Sequence, residues 1–195
     1  MQKKQISDRQ LVNAYMEGDL QSMEFLIRKY KDRVYTYILT IVKNTTLAED
    51  IFQETFIKVI NSLNSKKYEE RGSFLSWVLR IAHNLIIDYF RKNKTYPTIS
   101  NDDSELDIFN NPKFSERTIE EDIIKEQIKQ DVKKILLLLP VEQRNVVMLR
   151  HYWGLSFKEI AEITGVSINT ALGRMRYALI NLRKIIQKNN IKLKM

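Results

Sequence analysis

Apolar residues recur along this chain at steps of three and four, the spacing of one helix face, and that period dominates from end to end. A first helix is predicted around residues 7 to 17, ended by Gly18. Asp19 suits the cap of a second, with Phe25, Leu26, Tyr30, Val34, Ile38 and Leu39 turned inward. Thr46 with Glu49 reads as a capping box. The helix it opens would bury Ala48, Ile51, Phe52, Thr55, Phe56, Val59 and Ile60, leaving Asp50, Gln53, Glu54 and Lys58 outside. After a polar loop, 61 to 72, Ser73 caps a long helix to about Arg91 whose core face includes Phe74, Val78, Ile81, Ala82, Leu85 and Ile86. Its other face carries Arg80, Asn84, Ile87 and Arg91, a contiguous stripe about 16 Å long.

A second helical set follows. A helix over 118 to 138 runs into Pro140, which suits the first turn of a helix spanning Val141 to Tyr152 and closed by Gly154. Ser156 and Glu159 then form another capping box, Gly165 fits a turn needing positive φ, and Ser167 caps a final helix. In that helix Ile168, Ala171, Met175, Ala178 and Leu182 make the inward stripe. Asn169, Thr170, Gly173, Arg174, Arg176 and Tyr177 face outward. Helix, glycine turn and basic-faced helix is the arrangement that lays a helix in the major groove of DNA.

Composition narrows the reading. Five Gly and three Pro in 195 residues permit long helices and few tight turns, so the fold class is all-α. The absence of Cys excludes a disulfide scaffold and a thiolate metal site, and fits a cytoplasmic protein. His83 and His151 have no ligand partner at helical spacing, no Gly-rich phosphate loop occurs, and the acids form no catalytic constellation. The chain therefore reads as no enzyme, without metal or cofactor. No apolar run is long enough to span a bilayer and the N-terminus lacks a signal-peptide pattern, so no membrane insertion is expected.

Charge divides the chain. Formal net charge is +8, made up of +4 over residues 1–93, −2 over 94–117 and +6 over 118–195. The middle block holds Pro97, Pro112 and an Asn-Asp-Asp-Ser run, and reads as a flexible acidic linker between domains 1–93 and 118–195. From residue 163 to 195 there are seven Lys or Arg and no Asp or Glu, so a polyanion meets no repulsion there. Arg174 suits a phosphate, while Arg176 and Tyr177 lie nearer the bases. Leu172 could touch a thymine methyl or pack at the domain edge, and the residues alone leave both open. Lys66, Lys67, Tyr68, Arg71 and Asn84 offer cations, an aromatic and an amide suited to single-stranded DNA; Trp77 reads as core.

At this point the residues resemble the sigma-70 family of bacterial RNA polymerase initiation factors, in particular its small extracytoplasmic-function (ECF) group. Asp50-Ile51-Phe52-Gln53-Glu54-Thr55-Phe56 matches the family's Asp-x-x-Gln-x-x-Phe pattern of region 2.2. Phe74 through Arg91, with Trp77, Asn84, Asp88 and Arg91, is similar to regions 2.3 and 2.4, and Leu139-Pro140 through Arg174 to region 4. The resemblance implies docking of Asp50, Gln53, Glu54 and Phe56 on the β′ clamp helices of core polymerase. It implies −10 promoter contacts by Lys66, Lys67, Tyr68, Arg71, Arg80, Asn84, Arg91 and Lys92. It implies −35 contacts by Lys158, Asn169, Thr170, Leu172, Gly173, Arg174, Arg176 and Tyr177, with region 4 on the β flap. It also implies an anti-sigma factor. The chain departs from the pattern at Leu172 and Gly173, where the family often has a basic residue and Ser. The competing reading is a helix-turn-helix regulator with an unrelated N-terminal effector or dimerisation domain.

Overall fold

The computed structural model describes residues 6–65, 73–93, 132 and 135–188, and among these all regular structure is helical. The chain divides into two compact units. The first contains α1 (Asp8–Met16), α2 (Leu20–Val42), α3 (Thr45–Asn64) and α4 (Phe74–Lys92). Later come α5 (Val141–Val147), a π-helical turn (Met148–Tyr152), α6 (Phe157–Thr164) and α7 (Ile168–Lys188). The predicted linker 94–117, most of the predicted helix 118–138, and Lys66, Lys67, Tyr68 and Arg71 lie outside the described residues.

Side-chain caps set the helix starts in the first unit. Ser7 and Gln10 form a capping box on α1, Asp19 accepts from the Gln21 amide, and Ser73 accepts from the Ser76 amide. The α3 cap differs from expectation. Asn44 accepts from the Leu47 amide at 2.9 Å, so α3 begins before Thr46 and Thr46 does no capping. Each cap satisfies an amide that the helix itself leaves free.

The four helices close on a core of Leu26, Val34, Ile38, Ala48, Val59, Val78, Leu79, Ala82 and Ile86, all fully buried. Each large aliphatic buried there contributes about 1.5–3 kcal/mol. Thr55, also fully buried, satisfies its hydroxyl on the Ile51 carbonyl at 2.7 Å. Phe25, predicted to point inward, is 56% exposed. The buried line of α2 runs through Met23, Leu26, Tyr30, Val34 and Tyr37, and Phe25 sits about 100° of helix rotation away from its neighbour Leu26.

In the second unit, Pro140 is the N-cap of α5 and Arg144 to Leu149 are six successive buried residues. A helix enclosed on all sides shows no amphipathic period. Where a regular α-helix was predicted through Tyr152, the last turns are π-helical. Gly154, at φ +72°, then turns the chain, and Arg150 steadies the turn by donating to the Leu155 carbonyl at 2.9 Å. Arg144 is buried too, with one long hydrogen bond to the Leu137 carbonyl, and burial lowers its pKa.

Candidate nucleic-acid interface

The outer face of α3 is polar and acidic. Asp50, Gln53 and Glu54 are exposed, with Glu54 paired to Lys58 at 3.5 Å in open solvent. Phe56 stands elsewhere. It is buried, edge-on to Phe52 with ring centroids 5.0 Å apart, and Phe52 in turn meets Tyr35 on α2. Phe56 therefore holds the helix rather than the face. The apolar residue on the face is Ile57, 57% exposed, seven residues after Asp50 and thus on the same side. The sequence reading placed Phe56 inward, as found, but left Ile57 unassigned because an apolar residue between inward positions carries no sign of facing out.

Between α3 and α4 lies a groove of about 500 Å³. Ile81 and Leu85 supply apolar surface, and Lys58, Asn61, Ser62, Ser65, Asn84 and Asp88 line it with polar groups. Asn84 was expected as a nucleic-acid contact. The α3 residues opposite it were not, since they lie some twenty residues away in sequence and only packing joins them. Three of the lining residues, Asn61, Ser62 and Ser65, sit in the last turn and C-cap of α3. Helix ends fray, and two contacts hold this one: the Ser65 hydroxyl donates to the Asn61 carbonyl, and the Tyr15 hydroxyl of α1 donates to Asn64 Oδ1 at 2.9 Å.

On α4 the predicted stripe is present. Asn84, Ile87 and Arg91 are exposed and Arg80 is half-buried. Lys92 is exposed, and Arg91 approaches Asp88 at 3.4 Å. Behind the stripe, His83 Nδ1 and the Tyr37 hydroxyl share a 2.8 Å hydrogen bond. Complete burial pushes the Tyr37 phenol far above its ordinary range, so it remains a neutral hydroxyl and ties α4 to α2. Trp77 is half-buried against Phe74, with centroids 5.8 Å apart.

The helix-turn-helix follows its sequence closely. Ser156 and Glu159 make the reciprocal capping box, with amide bonds of 3.2 and 2.9 Å. Gly165 adopts φ +66° at the end of α6, and the Val166 amide closes the turn on the Ala161 carbonyl at 3.1 Å. The Thr170 amide donates to Ser167 Oγ at 3.0 Å, and the two hydroxyls bond each other at 2.8 Å. Ala171, Met175 and Ala178 are the buried line of α7.

Exposed on α7 are Asn169, Thr170, Leu172, Arg176 and Tyr177; Gly173 and Arg174 are half-buried, and Lys158 on α6 is exposed. Ile168, predicted inward, is 46% exposed, because it is the first residue of α7 and the buried line begins only at Ala171. A Cβ built at Gly173 would meet nothing within 4 Å, so no internal packing demands glycine there. Among the described residues no group of His, Asp or Glu could hold a metal ion, and no helix is long and apolar enough to cross a membrane.

Comparison with known proteins covers both units. Residues 26–96 match the family Sigma-70 region 2, and residues 129–177 match Sigma-70, region 4. The chain is 27% identical over 172 residues to the RNA polymerase sigma factor YlaC of Bacillus subtilis, spanning 86% of this chain and 94% of that one. It is 29% identical over 171 residues to the ECF RNA polymerase sigma factor SigW of the same organism, with 86% and 90% covered. Its fold resembles CnrH, solved in complex with the cytosolic domain of CnrY (TM-score 0.63, 19% identity, 94% of this chain and 99% of that one). It also resembles the sigma factor RpoE of Bartonella quintana, solved with the anti-sigma factor NepR (TM-score 0.61, 18% identity, 86% and 98%).

Proposed function

Because the chain belongs to the sigma-70 family, in its ECF group, and so serves transcription initiation by RNA polymerase, we propose that its two units divide that work as follows. Residues 1–93 hold the polymerase and capture melted −10 DNA, residues 94–117 tether, and residues 118–195 read the −35 duplex. The observation that carries this reading is the helix-turn-helix, whose α7 presents Asn169, Thr170, Arg176 and Tyr177 to solvent in a stretch without acids. The α7 face supports duplex contact, with Arg174 at the phosphates and Arg176 at the bases.

In the first unit the α3 face of Asp50, Gln53, Glu54 and Ile57 supports docking on a basic surface of core polymerase, an apolar side chain set within charge-assisted contacts. In this scheme the face meets the β′ clamp helices and region 4 meets the β flap. The groove beside Asn84 supports capture of an unstacked base: Ile81 and Leu85 offer an apolar surface and the amides and hydroxyls can meet a base edge. Base capture offsets the few kcal/mol that unstacking costs. The protein works in the cytoplasm by binding rather than by catalysis, and an anti-sigma protein holds it when idle. The pairing of the sigma factor RpoE with the anti-sigma factor NepR supports that last step. A regulator with an unrelated N-terminal domain is not favoured, since region 2 of the family matches residues 26–96.

The test is transcription in a purified system. Core RNA polymerase with this protein, given genomic fragments, initiates at discrete sites, and Asn84→Ala lowers open-complex formation there while leaving assembly with core unchanged. Absence of initiation on every template overturns the reading. Unaltered melting by Asn84→Ala overturns the role given to that residue.

A further inference from the structure

Ile168 and Leu172 are large aliphatic side chains, 46% and 44% exposed, one turn apart near the start of α7. They stand beside the polar groups of the same helix. Asn169 and Gly173 directly follow them in sequence, and Arg176 lies one further turn on. Leaving both in water wastes a burial worth about 0.8 kcal/mol for each methylene covered, so the face is complete only with an apolar partner. The surroundings say which. Arg174 and Arg176 lie within the next turn of α7 and no acid occurs from residue 163 to 195, so a polyanion is drawn to this surface. The one prominent apolar group that duplex DNA offers in its major groove is the C5-methyl of thymine.

Spacing agrees with that partner. Residues four apart on a helix are separated by about 6 Å along its axis, roughly two base steps of about 3.4 Å each. Gly173 beside them carries no side chain, and nothing lies within 4 Å of where its Cβ would be, so a base edge can approach the helix closely at Leu172. We infer that Leu172, assisted by Ile168, reads thymine methyl groups in the upstream promoter element, with Arg176 completing the line through a hydrogen-bonded base. The inference rests on the duplex-reading role proposed for α7 and gives that role its base preference. A cation at 172 would favour guanine edges and phosphates and make binding salt-dependent; an aliphatic there favours the thymine methyl and is blind to salt.

The test replaces thymine by deoxyuridine, which removes only the methyl. Promoter duplexes recovered by the reconstituted holoenzyme are remade with single uracils across the upstream element, and binding is measured. At one or two positions the wild-type holoenzyme should lose about fourfold in affinity per methyl removed. Leu172→Ala should bind the thymine duplex more weakly by a similar factor, show no further loss with uracil, and keep the same salt slope. Ile168→Ala should do the same at a position about two base steps away. Two results overturn the inference: uracil tolerated at every upstream thymine, or an undiminished uracil penalty in Leu172→Ala. Weakened assembly of Leu172→Ala with core polymerase, uracil penalty intact, assigns the pair to a protein contact and overturns it too. Failure of the holoenzyme to bind any sequence selectively instead strikes at the parent reading, and is told apart by the thymine duplex alone.

Discussion

The Tyr15 hydroxyl donates a hydrogen bond to Asn64 Oδ1 across 2.9 Å, joining α1 to the last turn of α3 although 49 residues separate them. That turn carries Asn61 and Ser62, with Ser65 at its cap, so α1 steadies one wall of the groove that faces Asn84. Tyr15→Phe removes the bond and little else. It should cost about 0.5–1.5 kcal/mol locally. Amide exchange at residues 61–65 should quicken, and single-stranded −10 DNA should bind several-fold more weakly, while thermal stability moves by only a few degrees. Unchanged exchange at those amides would deny α1 this role.

Phe56 and the residues around it separate support from contact. Phe56→Ala empties a buried site and should destabilise the first unit by about 3–5 kcal/mol. Asp50→Ala with Gln53→Ala alters only exposed side chains and should leave melting temperature and helicity as they are. Competition against the wild type for core polymerase should nevertheless show the double variant bound more weakly. Ile57→Asp should behave like the double variant, not like Phe56→Ala.

Gly165 makes the turn of the helix-turn-helix at φ +66°, where a side chain is strained whatever space surrounds it. Gly165→Ala should cost about 1–2 kcal/mol. Thermal unfolding of the full chain should register the loss in its second unit, and −35 duplex binding should fall with it. Gly173→Ala, in open helical surroundings, should instead stabilise α7 by about 0.8–1 kcal/mol.

Alkali should loosen α1. Asp8 accepts hydrogen bonds from Tyr30 and from Lys29 Nζ, the latter at 2.6 Å. Burial opposes the Lys29 charge, but bonds to Asp8 and Tyr30 leave its pKa raised from 10.5. Burial, then the bond to Asp8, raises that of the Tyr30 phenol from 10.0. Both groups hold their protons more tightly folded than unfolded. The stability they add is therefore complete below pH about 10 and is lost as pH climbs through their folded values. Chemical denaturation from pH 9 to 12 should show the wild type weakening, and Asp8→Asn should flatten the decline.

Much of this architecture was written in local pattern. Helical period located the helices, and Asp19, Ser73, Ser156 and Ser167 announced their starts because a cap needs only neighbours within three residues. What escaped depends on packing at a distance or on competition between similar residues. Asn44 outcompeted Thr46 as a cap two positions away. Phe56 is buried as its position in the period predicts, but exposed Ile57 beside it was left unassigned, and the full lining of the α3–α4 groove required two helices to meet. The π-helical turn at Met148–Tyr152 has no Gly or Pro to signal it, and the six successive buried residues from Arg144 to Leu149 that lead into it erase the period that would have.

The vacancy around Gly173 makes the recognition helix adaptable. Most positions in a folded protein resist change because a new atom must displace an old one. Here an added Cβ would meet nothing within 4 Å and gain helix propensity at the same stroke. On the duplex-reading role proposed for α7, a single codon there alters promoter preference without disturbing the scaffold.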